Sequence, residues 1–427
     1  MALFNNGVSN NELPEEYSNF CSAPWCTISP QPDGSVEPCC ISTKESRGSL
    51  IPVYGNLNDK TFNEITTGEK INEFRKKFLR NERPEECNIC WKQEETSGKT
   101  NISLRNVFNK HYFDRKFIDN TNEDGSFNDF KIRYWDLRPS NRCNFSCIIC
   151  CEQLSSGYWQ LQEDMKHRHQ IPNKFTELTP ERFNEVFDVM KNTLDEIHPE
   201  MHFYFAGGEP LMMPEHKHIL DYIVEKEYYD VSLRYNTNLS TLKFKGTNWA
   251  DVWSKFTDID INCSIDAAGL AGEFQRTGSN WKQIKQNLLE LKNKNIRVTF
   301  NMVMTMWTYP VVLQTLDELE EIFGNTETLH HGIQFVATTH PEHMAIDMIP
   351  DQYMDTSIVD QVLDRGYYRA QELKTYIQNA DHTPNREYWR RLVGYVDRLE
   401  KARGITPDSF LPWYRDYVNK NWRTTIA

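Results

Sequence analysis

No stretch of this 427-residue chain approaches the ~18 consecutive apolar residues that a membrane-spanning helix needs, so no membrane association is expected. The opening, Met1 to Glu16, lacks the basic start and apolar run of a secretory leader, being polar and acidic. A soluble, cytoplasmic protein is the expectation. Positive charge is also in short supply: 48 Lys and Arg against 61 Asp and Glu leave a formal net charge of -13. A phosphate backbone repels such a chain, so nucleic acid is not an expected partner. The one local basic group, Arg75, Lys76, Lys77 and Arg80, falls on a predicted amphipathic helix and reads as a solvated face. Internal repeats and long low-complexity tracts are absent as well.

Cysteine is scarce in the second half of the chain and abundant in the first. After Cys151 only Cys263 remains; Cys21, Cys26, Cys39, Cys40, Cys87, Cys90, Cys143, Cys147, Cys150 and Cys151 come before. An odd count without a secretory leader fits a closed disulfide set poorly. Clustered thiols in a reducing compartment point to metal or iron–sulfur ligation.

Three regions follow from the pattern. Residues 1–128 are loop-rich; Pro24, Pro30, Pro32, Pro38 and Pro52 exclude a long helix early on, and residues 62–80 read as one helix carrying Ile65, Ile71, Phe74 and Phe78. The polar run Asp119 to Asn128 reads as a linker or exposed loop. Residues 129–345 alternate strand-like runs (Lys131–Leu137, His202–Ala206, Val231–Tyr235, Ile259–Ile265, Ile296–Met304 and Gly332–Ala337) with helical ones (Glu181–Leu194, Glu215–Glu227, Trp281–Asn293 and Val311–Phe323). Such alternation argues for parallel βαβ units. Six strands are too few for a closed eight-stranded barrel. The expected fold is therefore α/β, a partial (β/α)6 TIM-like barrel, with a flat doubly wound sheet as the alternative. Asn262, Ser264 and Asp266, like Thr299 and Asn301, put polar groups on one strand face, which suggests a wet or ligand-filled lumen. Residues 346–427 read as a helical, aromatic-rich C-terminal region.

The spacing Cys143-x3-Cys147-x2-Cys150 directly follows the first barrel strand. A loop leaving a strand can wrap three thiolates around one cluster. A cubane [4Fe–4S] cluster has four irons, so three cysteines leave one iron open to an external chelator. Further on, Gly207-Gly208-Glu209-Pro210 follows the second strand, with glycines that let backbone approach a ligand and a carboxylate suited to an ammonium group. Ser264 and Asp266 end the fourth strand, and Arg276 follows, a fork suited to a carboxylate.

This set resembles the radical S-adenosylmethionine (SAM) superfamily. The resemblance implies that SAM chelates the open iron through its amino and carboxylate groups. It implies SAM contacts from Gly207, Gly208, Glu209, Ser264, Asp266 and Arg276, with Asn236 and Asn238 as weaker candidates. It also implies reductive cleavage of SAM to a 5′-deoxyadenosyl radical that abstracts hydrogen from a substrate, with electrons from a flavodoxin- or ferredoxin-type donor. Ile149 stands where the family usually has an aromatic residue, and the glycine-rich motif of the fifth strand has no clear counterpart.

The N-terminal thiols have an order of their own. Cys21-x12-Gly34-x4-Cys39 is followed by Cys87-x2-Cys90, and Asp33-Gly34 reads as a hairpin turn that brings Cys21 near Cys39. Four thiolates from two segments make a closed zinc site or a fully ligated cluster. The motifs around them resemble the twitch and SPASM modules, which implies a second, auxiliary [4Fe–4S] cluster on Cys21, Cys39, Cys87 and Cys90, with Cys26 or Cys40 as substitutes and zinc as the alternative. Here the module precedes the barrel rather than following it. A peptide or protein is the substrate class the resemblance suggests. Rival readings are a radical enzyme acting on a small molecule beside a purely structural metal module, and a non-enzymatic iron–sulfur electron-transfer or interaction protein. No catalytic acid or base is assigned; Tyr309, His340 and His343 follow late strands and could line an opening.

Overall fold

The computed structural model describes residues 12–42, 54–97, 103–383 and 385–423. Residues 1–11 of the acidic opening, and Pro52, lie outside that range. The chain divides into two compact units, one of residues 1–141, 175–235 and 255–259, the other of residues 142–174, 236–254 and 260–427. The strands, in chain order, are β1 Thr27–Pro30, β2 Ser35–Glu37, β3 Gly55–Asn56, β4 Tyr134–Leu137, β5 His202–Phe205, β6 Ser232–Thr237, β7 Lys243–Phe244, β8 Thr247–Asn248, β9 Asp258–Cys263, β10 Val298–Met304 and β11 Ile333–Ala337. The sheet is largely parallel, and each predicted barrel strand is present to within a few residues.

In the first unit β1 and β2 form an antiparallel hairpin, with Ser29 opposite Glu37, and β3 pairs antiparallel with β2. Gly34 makes the turn at φ +82°, a conformation that favours glycine, and a Cβ there would stand 2.5 Å from Asn58 Nδ2. The hairpin joins the main sheet because β1 runs parallel to β4, Thr27 opposite Tyr134. β4 to β5 and β5 to β6 are parallel and in continuous register. The single helix expected over residues 62–80 is two helices, Phe62–Thr66 and Glu69–Leu79. They part at Gly68, where backbone turns extended and a Cβ would meet Glu64 O at 2.6 Å. The first is held by a reciprocal capping box between Thr61 and Glu64. Ile71, Phe74 and Phe78 face the core as their spacing predicts. Arg75 corrects the reading of a solvated basic face: it is fully buried and donates from Nε to Pro24 O at 3.0 Å. Lys76, Lys77 and Arg80 pair with Glu73, Glu86 and Glu82. Phe20 stacks on Trp25 at 4.7 Å, and Trp25 on Phe117. The polar run 119–128 is anchored by Phe127, buried edge-on against Phe117, and by Thr121 Oγ1, which accepts from Trp25 Nε1 at 2.9 Å.

In the second unit β9, β10 and β11 are parallel, with Phe300 opposite both Cys263 and Ile333. The helix Trp281–Asn293 stands at its predicted limits, and Val312–Phe323 begins one residue late. The helices Ser357–Asp364, Ala370–Asn379, Arg386–Arg403 and Trp413–Val418 complete the C-terminal region. Its aromatics enter the core of this unit: Phe410 meets Phe274 at 5.4 Å, and Tyr414 meets Trp307 at 5.4 Å. Each such side chain removed from water stabilises by roughly 1.5–3 kcal/mol.

Polar strand residues do share one face, and several of them pair with each other. Arg234 donates to both oxygens of Asp258 at 2.8 Å, Asp136 accepts from Ser29 at 2.6 Å and Arg138 at 3.0 Å, and Thr299 donates to Asp260 at 3.0 Å. Further along the strands, the buried side-chain oxygens of Asn262 and Asn301 have no hydrogen-bond partner among the described residues.

Candidate metal centres and cofactor site

The loop after β4 is clamped from two sides. On one, the helix Ser156–Asp164 begins under it: Ser155 caps that helix and donates to Phe145 O at 3.0 Å, while Ser156 Oγ accepts from Cys143 N at 3.1 Å. Gly157 is required by the closeness of this contact, since a Cβ would lie 2.2 Å from Phe145 O. On the other side, Ser146 N donates to Thr277 O at 2.7 Å and Ile148 N to Gln275 O at 2.9 Å. The segment that bears Arg276 is thus bonded to the loop that bears Cys147. Cys147 is 9% exposed, and Cys143 and Cys150 are half-buried. Burial pushes the Cys147 thiol up, and the Arg276 guanidinium opposes that rise by its charge and a hydrogen bond. The Cys150 thiol is held high first by its hydrogen bond with Cys151 and then by burial.

Asn238 belongs to this loop's surroundings. Its amide donates to Asn144 Oδ1 at 2.9 Å, accepts from Ser240 N at 2.9 Å, and stands 4.0 Å from Cys143 Sγ. Asn236 is half-buried at the end of β6. Ser264 N donates to Thr237 O at 2.8 Å, which joins the ends of β6 and β9.

Ser264, Asp266 and Arg276 line one cavity of about 240 Å³ with Gly269 and Gly272. Within it Asp266 is fully buried and fully engaged. It accepts from Gln275 Nε2 at 2.6 Å, Arg276 Nη2 at 2.8 Å and Val303 N at 3.0 Å. Arg276 Nε adds an ion-pair contact of 2.7 Å to Asp266 without hydrogen-bond alignment. Two of the residues expected to hold a ligand therefore hold each other.

Gly207, Gly208 and Glu209 are placed in the first unit, against the exit of β4. Gly207 takes φ +104°, and a Cβ there would stand 3.2 Å from Ser140 O and 3.4 Å from Arg138 Cα. Gly208 N donates to Ser140 O at 3.3 Å. Glu209 is 1% exposed, and its carboxylate accepts from Leu211 N at 3.2 Å, capping the turn Pro210–Met212.

Cys21, Cys39, Cys87 and Cys90 line a second cavity, of about 330 Å³, with Leu104, Arg105 and Phe108. Arg105 braces it by donating to Ser18 O at 2.9 Å and Phe20 O at 2.8 Å while paired with Glu94 at 2.6 Å. Burial pushes the Cys21 thiol up to about 12, and raises those of Cys39, Cys87 and Cys90 as well. Cys26 and Cys40 are not on this wall. Cys26 is buried with its thiol donating to Ser22 O at 3.2 Å, and Cys40 lies in the field of Asp136 and Arg138. Among the described residues no three His, Cys, Asp or Glu side chains are gathered closely enough to hold a single ion. Four thiols on one apolar-walled cavity, and three on a loop clamped beside a guanidinium, fit thiolate-ligated clusters.

Of the late-strand candidates, Tyr309 is buried and donates to Asp355 O at 2.8 Å, a packing role. The His340 side chain is 77% exposed and His343 packs against Tyr395. Sequence reasoning passed over Arg105, whose bracing bonds depend on contacts with residues 18 and 20, and Asp136 and Arg138, which only their alternation along β4 could have flagged.

Residues 137–325 match the family model described as the radical SAM superfamily, and residues 21–91 match SPASM, an iron–sulfur cluster-binding domain. The chain thus carries a match to a radical SAM domain, with a match to the SPASM domain ahead of it. Among solved structures, it is similar to native anSMEcpe with bound AdoMet, at 17% identity over 63% of this chain and 66% of that one, TM-score 0.37. It is also similar to SuiB of Streptococcus suis bound to S-adenosylmethionine, at 12% identity over 72% of this chain and 63% of that one, TM-score 0.34. The same SuiB bound to precursor peptide SuiA is similar at 13% identity over 84% and 70%, TM-score 0.35. The chain thus spans less than two thirds of the first two structures it matches. No curated protein matches its sequence significantly.

Proposed function

We propose that this protein is a radical SAM enzyme that modifies a peptide or protein. In this reading Cys143, Cys147 and Cys150 hold a [4Fe–4S] cluster with one open iron, and Cys21, Cys39, Cys87 and Cys90 hold an auxiliary [4Fe–4S] cluster. Residues 1–128 form the auxiliary module, 129–345 the partial barrel and 346–427 a helical region. The first cluster, when reduced by a flavodoxin- or ferredoxin-type donor, supplies one-electron cleavage of SAM to a 5′-deoxyadenosyl radical. The chain's own residues bind and orient. Glu209, with one oxygen committed to Leu211 N, offers its carboxylate to the ammonium of SAM. Gly207 and Gly208 keep the backbone low enough for close approach. Asn236, Asn238, Ser264, Asp266 and Arg276 lie at or beyond the C-terminal ends of β6 and β9, where α/β sheets carry their ligands.

The observation that carries the reading is the clamped loop itself, because three thiols at one strand end, without a fourth protein ligand of the same loop geometry, suit a cluster that must accept an external chelator. Support for the peptide class comes from the SPASM match and the motifs around Cys21, Cys39, Cys87 and Cys90. The test is anaerobic purification with iron and sulfide counting, followed by SAM and dithionite. About eight irons per chain are expected for two cubanes, with release of 5′-deoxyadenosine. About four irons with one zinc would make the N-terminal site structural. No 5′-deoxyadenosine from a fully loaded sample would sink the enzyme reading.

A further inference from the structure

The sheet of β9, β10 and β11 has two unlike faces. On one, Ile261, Cys263, Phe300, Met302, Ile333 and Phe335 are buried. On the other, Asn262, Asn301 and Gln334 are only half-buried. β10 lies between β9 and β11, so this is not the exposure of an edge strand. A parallel sheet is ordinarily covered on both faces and apolar throughout; here one face stays open and polar. The register gathers its carboxamides. Thr299 stands opposite Asn262, which puts Asn301 one pleat further along on the same face, and Asn301 stands directly opposite Gln334. Neighbouring strands lie about 4.8 Å apart, yet no hydrogen bond joins Asn301 to Gln334. The side-chain oxygens of Asn262 and Asn301 have no partner among the described residues. The charge beside them is already engaged: Asp260 accepts from Thr299 Oγ1 at 3.0 Å and faces Arg297 Nε at 3.9 Å. What remains is a neutral row of donor–acceptor groups. An amide withheld from water and left unbonded costs stability, so its retention calls for an occupant.

We infer that Asn262, Asn301 and Gln334 bind the backbone amides of an extended, uncharged segment of the peptide substrate. This rests on the function proposed above and names the group that the site reads. Each carboxamide carries a C=O acceptor and an N–H donor side by side. A peptide backbone offers the same two groups, so the two can exchange hydrogen bonds in both directions. The amide turns about a soft terminal torsion and can present either end. The row crosses three strands, about 10 Å, which matches roughly three residues of an extended chain. A carboxylate or ammonium entering here would lose its water without gaining a counter-charge. Val303 and Val336, next along the same face of β10 and β11, add apolar surface beside the row.

The test is equilibrium dialysis of the full-length, reconstituted, unreduced protein with SAM against a pool of N-acetylated, C-amidated random hexapeptides of uncharged residues. Retained peptide is counted by mass spectrometry. Backbone amides are common to every sequence, so an unrelated pool is a fair probe. The wild type should retain the pool, and the N301L/Q334M double variant about tenfold less. The same pool with N-methylated backbones should be retained by the wild type no better than the plain pool is by the double variant. Leucine and methionine keep the volume and delete groups that hold nothing in the free protein, so the melting temperature should not fall. A lowered melting temperature would give the amides a structural role and overturn the inference. So would equal retention by wild type and variant, equal retention of the N-methylated pool, or no retention by a wild type that does release 5′-deoxyadenosine with dithionite. If the double variant fails to fold, N301L and N262L decide, and two unchanged retentions overturn it. A wild type that releases no 5′-deoxyadenosine would instead fail the proposed function, a distinguishable result.

Discussion

The two thiol sites are built on opposite plans. Cys143, Cys147 and Cys150 sit on one short loop whose spacing alone brings them together, and the surroundings only clamp it, through Ser155, Ser156, Gly157 and the backbone of Gln275–Thr277. Cys21, Cys39, Cys87 and Cys90 come from two distant segments that converge only because the β1–β2 hairpin, the helix Asn88–Ser97 and the Arg105 brace fold around them. A local site tolerates much change elsewhere. A converged site is only as stable as the fold that assembles it. The first plan suits a site that must stay open on one side, the second a site closed by protein on all sides.

The comparison is broken most severely by removing ligands. Replacing Cys143, Cys147 and Cys150 by alanine is expected to abolish 5′-deoxyadenosine release, while replacing Cys87 and Cys90 spares it at least in part; equal loss in both would erase the distinction between the sites. Next in size is Arg105→Leu. It strands Glu94 and unties the carbonyls of Ser18 and Phe20, a cost of about 3–5 kcal/mol for a buried pair. Iron should leave the N-terminal site first, and iron analysis showing loss from both sites together would count against independent assembly. The converse variant, Gly157→Ala, forces a Cβ against Phe145 O and should cost about 1–3 kcal/mol by overpacking. Its effect should be weaker SAM-dependent signal from the triplet cluster with the auxiliary signal retained.

The smallest effect sharpens the comparison through pH. His202 and His216 lie in the same unit as the four-thiol cavity, each buried, and burial pushes both imidazoles down to about 3. The unfolded chain takes up these protons near pH 6.5 while the folded chain does not. Their contribution to stability is therefore complete above about pH 6.5 and falls as pH drops towards 3, by about 1.4 kcal/mol per pH unit for each histidine. Melting curves from pH 7 to 5 should show this decline, and His216→Leu should flatten it. An unchanged slope in that variant would remove His216 from the account.

Much of this was legible in the residues. The parallel strands follow from β-branched and aromatic runs between helical periodicities, because those signals are local. The triplet is local for the same reason. Boundaries slipped where a local feature competed with periodicity. Gly68 parts a helix whose apolar spacing runs straight through it, since its neighbour's carbonyl leaves no room for a side chain. Arg75 has the sequence profile of a surface charge but is buried, because Pro24 O offers it an acceptor from another segment.

The spacing of Cys143, Cys147 and Cys150, the glycines at 34 and 207, and the order of strands and helices were determined by the sequence alone. Each depends on dihedral preferences or periodicities that a few neighbouring residues set. Which of Cys21 or Cys26, and Cys39 or Cys40, faces the N-terminal cavity was decided by the tertiary structure. So was the closure of Arg276 onto Asp266. These are matters of long-range packing, in which a charge or hydroxyl acquires its role only from partners that the fold brings to it.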